Sequence, residues 1–116
     1  NEGYMNTGYQ RSSTTTEGSR TSTTPLGSAI SGKQQAQKYV PLILAMHGVE
    51  YCATVTPWNM RDMVEKIEKG LAASKRGFVY LHVFTPCPTG WSFPPDQTIE
   101  GSKLAVKSNM FALWEC

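Results

Sequence analysis

No apolar run in this 116-residue chain approaches the roughly eighteen to twenty residues of a membrane span, so a transmembrane helix is not expected. Charge is scarce as well. Eleven basic and nine acidic side chains leave a net +2, too little to draw a nucleic-acid backbone or an anionic lipid surface. Cysteine is sparse and odd in number, with three scattered residues and no Cys-x-x-Cys, which excludes a secreted disulfide framework. A reducing compartment fits better, and the expected location is cytoplasmic. There are only two histidines. His47 falls at a helix end and His82 inside an apolar run, and together they make no catalytic site. Gly-x-Ser-x-Gly and carboxylates paired as in glycosidases are missing, and the Gly-x-x-x-x-Gly-Lys at residues 27–33 is followed by Gln34 where a phosphate loop needs Ser or Thr, which removes three common enzyme classes. The length allows one domain with a modest core.

Regular structure is expected from about Lys38 onward. Pro41 suits the first turn of a helix, where its missing N–H costs nothing. Val40, Ile43, Leu44 and Met46 supply its apolar residues, and Gly48 stops it. Residues 49–55 alternate and read as a strand. Asn59 is an N-cap candidate, with Asp62 three residues on in a weaker relative of the capping box. Met60, Met63, Val64, Ile67 and Leu71 then recur on one helical face, which predicts an amphipathic helix with its methionines packed in the core. Residues 78–84 form a nearly continuous apolar run, expected as a strand buried on both faces. Strand, helix, strand predicts a crossover and parallel pairing. A last helix from Thr98 carries Ile99, Leu104, Ala105 and Val106 and is expected to run towards Trp114. The sum is α/β, half of an open, mainly parallel sheet flanked by helices. Ligands of such sheets sit at the carboxyl ends of the strands, where residues 54–58 and 85–91 leave.

Residues 11–37 are rich in Ser, Thr and Gly. Composition alone allows a disordered linker there, because so little apolar surface cannot offset ordering entropy, and equally allows a long functional loop.

The first thirteen residues are denser in meaning. Asn-Glu-Gly-Tyr-Met-Asn-Thr-Gly-Tyr-Gln-Arg-Ser-Ser clusters amide and hydroxyl groups on a glycine-containing backbone, as close approach to a phosphate or cofactor requires. A second distinctive run, Pro-Cys-Pro-Thr-Gly-Trp, follows the apolar strand at residues 86–91. Both resemble the thiamine-diphosphate-binding β subunit of the 2-oxoacid:ferredoxin oxidoreductases, most like the pyruvate type. In that family Tyr-Met-Asn-Thr-Gly-x-Gln-Arg-Ser-Ser follows a Gly-Asp-Gly and an Asp-Asn-Glu. This chain begins inside that motif, so it reads as a C-terminal fragment: residues 1–37 hold the cofactor-proximal motif and a Ser/Thr-rich loop, and residues 38–116 hold the α/β portion of the same domain.

The resemblance implies thiamine diphosphate, Mg²⁺ and a [4Fe–4S] cluster as cofactors. It implies Asn1, through its side chain, and Gly3, through its carbonyl, as ligands of Mg²⁺, both being the oxygen donors a hard cation prefers. Tyr4, Met5, Asn6, Thr7 and Gly8 are then cofactor-binding. Asn6 is the catalytic residue, because a fixed amide can hydrogen-bond a reacting oxygen without changing its own protonation. Cys87 is implied as one of four thiolates on the cluster, against the ordinary reading of a lone Cys as a small buried hydrophobe. Cys52 and Cys116 read as non-ligands. Arg11 offers a cation for a phosphate or carboxylate. Residues 21–27 resemble a Thr-rich loop of the family near the cofactor and partner subunit, expected to be mobile in the isolated chain. The implied reaction cleaves pyruvate with coenzyme A to acetyl-CoA and carbon dioxide, with electrons passed to ferredoxin. Other subunits or domains of the oxidoreductase must supply the activating Glu and remaining ligands, so the chain alone is expected to be inactive. Branched-chain 2-oxoacids are an alternative substrate, and a non-catalytic α/β interaction domain is an alternative role. Asn6 disfavours 2-oxoglutarate, whose enzymes tend to carry Gly-Met-Thr-Gly-Gln there.

Overall fold

A computed structural model describes residues 2–29 and 31–116. The fold is α/β, and the chain divides into two compact units, Asn1–Tyr39 with Pro86–Thr98, and Val40–Thr85 with Ile99–Cys116.

The second unit holds the sheet. Strands β3 (Tyr51–Val55) and β4 (Val79–Val83) pair in parallel, in register from Tyr51↔Val79 to Val55↔Val83, which brings their carboxyl ends to one edge. Helix α1 (Val40–Met46) precedes β3 with Pro41 in its first turn, and Gly48 follows it at φ +71°. Helix α2 (Met60–Ala73) connects the strands and is capped by Asn59, whose side chain accepts from the Asp62 N–H at 3.4 Å.

The structure departs from the sequence expectation in three places. First, β3 is the strand buried along its whole length, while β4 is half-buried. The cause is a second neighbour of β3: Cys52 and Cys116 exchange backbone hydrogen bonds at 3.0 and 2.9 Å, and the Thr54 N–H donates to Trp114 O at 3.0 Å. The tail thus covers β3, whereas among the described residues β4 pairs on one side only. Second, α4 (Thr98–Lys107) stops well before Trp114. Asn109 takes a left-handed φ of 59° and the chain turns back to meet β3. Third, the apolar stripe of α2 faces inward only in part. Met63 and Ile67 are half-buried and Met60, Val64 and Leu71 are exposed, while Lys66, Gly70 and Ala73 are buried. Gly70 explains the rotation. A Cβ there would lie 3.3 Å from Val79 and 3.5 Å from Tyr51, so the missing side chain lets the helix sit against both strands. Lys66 is held inside by Asp62 Oδ2 at 2.9 Å and Thr54 O at 3.1 Å. Among the described residues no helix is long and apolar enough to cross a membrane.

The first unit carries most of the chemistry-bearing residues. Strands β1 (Gly3–Met5) and β2 (Tyr9–Arg11) pair antiparallel, Gly3↔Arg11 to Met5↔Tyr9, with Asn6, Thr7 and Gly8 at the turn. The Ser/Thr-rich stretch whose composition admits a disordered linker is a hydrogen-bonded loop. Gly18 N–H donates to Lys33 O at 2.7 Å, Lys33 N–H to Ser19 O at 3.0 Å, Ser22 N–H to Tyr9 O at 2.7 Å and Lys38 N–H to Ser13 O at 2.9 Å. Thr15, Thr21, Thr24 and Lys33 are buried within it, and hydroxyls do the work that apolar side chains would do in an ordinary core. The remaining elements are a single helical turn, α3 (Pro88–Trp91), and a 3₁₀ turn at Pro95–Gln97.

Candidate functional site

Two segments separated by some eighty residues in sequence meet in the first unit, the β1–β2 hairpin and the Cys87–Trp91 turn. The contact is specific. Trp91 Nε1–H donates to the carbonyl of Gly3 at 2.8 Å. Gly90 lies so close to the hairpin that a Cβ would stand 3.0 Å from the Tyr9 ring and 3.1 Å from the Met5 backbone nitrogen. Gly3 is equally constrained, because a Cβ on it would meet the Tyr9 hydroxyl at 2.6 Å. Both positions therefore need glycine for close approach.

Cys87 opens the α3 turn. Its Sγ accepts the Gly90 N–H at 3.4 Å, and flanking Pro86 and Pro88 stiffen the turn. The Tyr9 phenol is pushed up first by burial and then by the nearby Cys87 and Glu2. Just before β1, Glu2 is buried, with Oε2 accepting from the Thr16 hydroxyl at 3.3 Å and Oε1 from the Gln37 amide at 3.2 Å. Burial pushes its carboxyl up. The Thr15 hydroxyl donates to the Glu2 carbonyl, tying the polar loop to the start of the hairpin.

Of the residues singled out from sequence, Gly3 is buried, and Tyr4, Met5, Asn6 and Thr7 are exposed along the hairpin and its tip, with Gly8 half-buried. The tip is ordered by Asn6 N–H to Gly8 O at 3.2 Å and Gln10 Nε2 to Thr7 Oγ1 at 3.3 Å. Asn1 lies outside the described residues. Cys52 is fully buried in β3, its thiol donating to Pro41 O at 3.4 Å, and Cys116 is exposed. His82 is half-buried, bonded to the Tyr80 hydroxyl at 3.0 Å and stacked on Phe111, and burial pushes its imidazole down.

The donor chemistry suits the groups implied by the sequence but is incomplete. A carbonyl oxygen has two lone pairs, so Gly3 retains one for a hard cation while accepting from Trp91. Cys87 offers a single soft donor, and among the described residues no group of three His, Cys, Asp or Glu is placed to hold a metal. Residue-type reasoning missed the positioning residues Tyr9, Gly90 and Trp91. The two glycine-containing motifs were the available signal, but that they touch is a property of the fold.

Comparison with known proteins points the same way. No family model matches the chain. The NADH-dependent phenylglyoxylate dehydrogenase subunit beta of Aromatoleum evansii is 50% identical over 115 residues, covering 99% of this chain and 26% of that protein. The pyruvate synthase subunit PorB of Methanothermobacter marburgensis is 44% identical over 115 residues, covering 99% of this chain and 39% of the relative. PorB of Thermotoga maritima is also 44% identical, with 99% and 35% covered. The chain thus spans between about a quarter and two fifths of the length of the curated relatives it matches. At such identity over the whole chain, it belongs to the 2-oxoacid:ferredoxin oxidoreductase family, in the part represented by the pyruvate synthase and phenylglyoxylate dehydrogenase β subunits.

Proposed function

We propose that this chain forms part of the thiamine-diphosphate site of an oxidoreductase that decarboxylates pyruvate with coenzyme A and passes the electrons through a [4Fe–4S] cluster to ferredoxin. The observation that carries the reading is the hydrogen bond from Trp91 to Gly3 O, with Gly90 packed on the hairpin. It holds the residue implied for the cation and the residue implied for the cluster in one compact unit. When bound, thiamine diphosphate supplies the electron sink for decarboxylation, and the cluster supplies one-electron transfer.

The chain's own residues have divided tasks. Gly3, with Asn1, presents oxygen to Mg²⁺. Trp91 fixes the direction of the Gly3 carbonyl. Asn6, on the ordered hairpin tip, presents an amide to the substrate oxygen, and Tyr4, Met5, Thr7 and Gly8 shape the surface around it. Cys87 presents one thiolate, its turn held rigid by two prolines and the Gly90 N–H. The remaining ligands and the activating Glu come from other segments or subunits of the assembly.

A second substrate is favoured by one finding, the 50% identity to a phenylglyoxylate dehydrogenase subunit, which makes an aromatic 2-oxoacid the competing reading. Measuring kcat/KM of the assembled enzyme on pyruvate and on phenylglyoxylate decides between them. In the same assembly Asn6→Ala should lower turnover about a hundredfold with cofactor affinity nearly unchanged. Cys87→Ser should lose iron and ferredoxin reduction before decarboxylation, since a hydroxyl poorly replaces a thiolate on iron. Normal turnover in the first variant and full iron content in the second would overturn the reading.

A further inference from the structure

The first unit also contains a cavity of about 450 Å³ that none of these roles uses. Its wall includes three cations, Arg11, Lys33 and Lys38, with the hydroxyl-bearing Ser12, Ser13 and Thr23, and no acidic side chain. Lys33 is the unusual member. It is only 1% exposed, and its ammonium donates to the carbonyls of Thr15 and Gln35, both uncharged. Among the described residues no carboxylate lies within ion-pair distance of it, whereas the other buried lysine, Lys66, has Asp62 at 2.9 Å. Two carbonyls take two of the three ammonium donors and leave one. Glu2 is near enough to feel the Lys33 charge, but its oxygens are taken by Thr16 and Gln37 and it does not line the cavity. Arg11 spends one N–H on Gln35 Oε1 at 3.1 Å, leaving most of its fork available.

Burying an ammonium without a counter-charge is costly, and placing two more cations around the same space adds repulsion. An anion in the cavity removes both penalties. We infer that the cavity walled by Arg11, Lys33 and Lys38 binds a phosphate group of a small molecule. Three positive centres match a dianion better than a monoanionic carboxylate, and a planar guanidinium beside hydroxyls suits the several acceptor oxygens of a phosphate. The volume falls in the roughly 300–1,000 Å³ range of small-molecule pockets, so a phosphate ester fits as well as the free ion. Nothing in the inference depends on the proposed redox reaction.

The test uses the assembled enzyme saturated with thiamine diphosphate and Mg²⁺, titrated calorimetrically with inorganic phosphate and, separately, with phenyl phosphate. Lys33 is left intact, since its loss threatens the loop, and the exposed cations Arg11 and Lys38 are changed instead. Expected is one saturable site, with Arg11→Gln and Lys38→Gln each weakening binding about tenfold and Arg11→Lys recovering part of the loss. Tighter binding of phenyl phosphate identifies an ester as the ligand, and tighter inorganic phosphate identifies the free ion. Three results overturn the inference: no binding by the unaltered enzyme, equal binding by the variants, or a site that appears only when thiamine diphosphate is withheld. The last would assign the cavity to the cofactor's own diphosphate.

Discussion

Replacing Trp91 with phenylalanine removes one donor and leaves the Gly3 carbonyl without its partner inside a buried segment. An acceptor stranded in this way costs about 1–3 kcal/mol, more than the hydrogen bond itself contributes in net terms. The hairpin can relieve the penalty only by shifting the carbonyl towards water, and that shift moves the oxygen assigned to the cation. With about 2 kcal/mol at stake, Mg²⁺-dependent binding of thiamine diphosphate to the assembled enzyme should weaken roughly 10- to 30-fold. Backbone amides of the β1–β2 ladder should also exchange faster. Phe93→Leu is the matched control. Phe93 meets the Trp91 ring edge-on, with centroids 6.4 Å apart, so trimming it loosens the indole while sparing the N–H. Calorimetry on both variants, with hydrogen exchange over the hairpin, separates bonding from packing. Unchanged or tighter cofactor binding in Trp91→Phe would refute the reasoning, as would an equal loss in Phe93→Leu.

Other substitutions test the rest of the framework. Gly32 has φ +80° and a Cβ there would lie 2.4 Å from the Gly18 carbonyl oxygen, so Gly32→Ala should cost about 3 kcal/mol of thermal stability, while Gly27→Ala, with open space around it, should stay within about 0.5 kcal/mol. Asp62→Ala strands the Lys66 ammonium and should destabilise by about 3 kcal/mol, against about 1 kcal/mol or less for Lys66→Met, which removes the charge; equal losses in denaturant titrations would contradict the buried-pair account. His82 titrates below its ordinary 6.5 in the folded protein, so the unfolded chain binds the proton first and stability falls as pH drops through 6.5. His82→Gln should flatten that dependence when unfolding is compared at about pH 8 and about pH 5.

Much of the second unit was legible in the chain. Asn59 as a cap, Gly48 as a stop and the strand–helix–strand order with parallel pairing are local or nearly local consequences of side-chain chemistry. The inward face of α2 was not legible. Hydrophobic period identifies a helix, but the side that packs depends on where a partner can approach. Gly70 and Ala73 admit the sheet, leaving Met60, Val64 and Leu71 outside. Likewise the apolar run before Cys87 suggests a strand covered on both faces, yet the returning tail lies against β3.

Residue order alone was enough for the family and the chemistry available, because the motifs at residues 4–13 and 86–91 specify amide, carbonyl and thiol groups in a fixed local order. Which of these groups meet is set by long-range contacts. Trp91 reaches Gly3 and the Gly90 backbone approaches Met5 and Tyr9 across a long sequence separation. Lys33, one unremarkable lysine in a polar stretch, becomes a buried charge because the loop closes around it. Local sequence sets propensity and functional groups, but burial and long-range hydrogen bonds arise from chain closure, which no short window of residues contains.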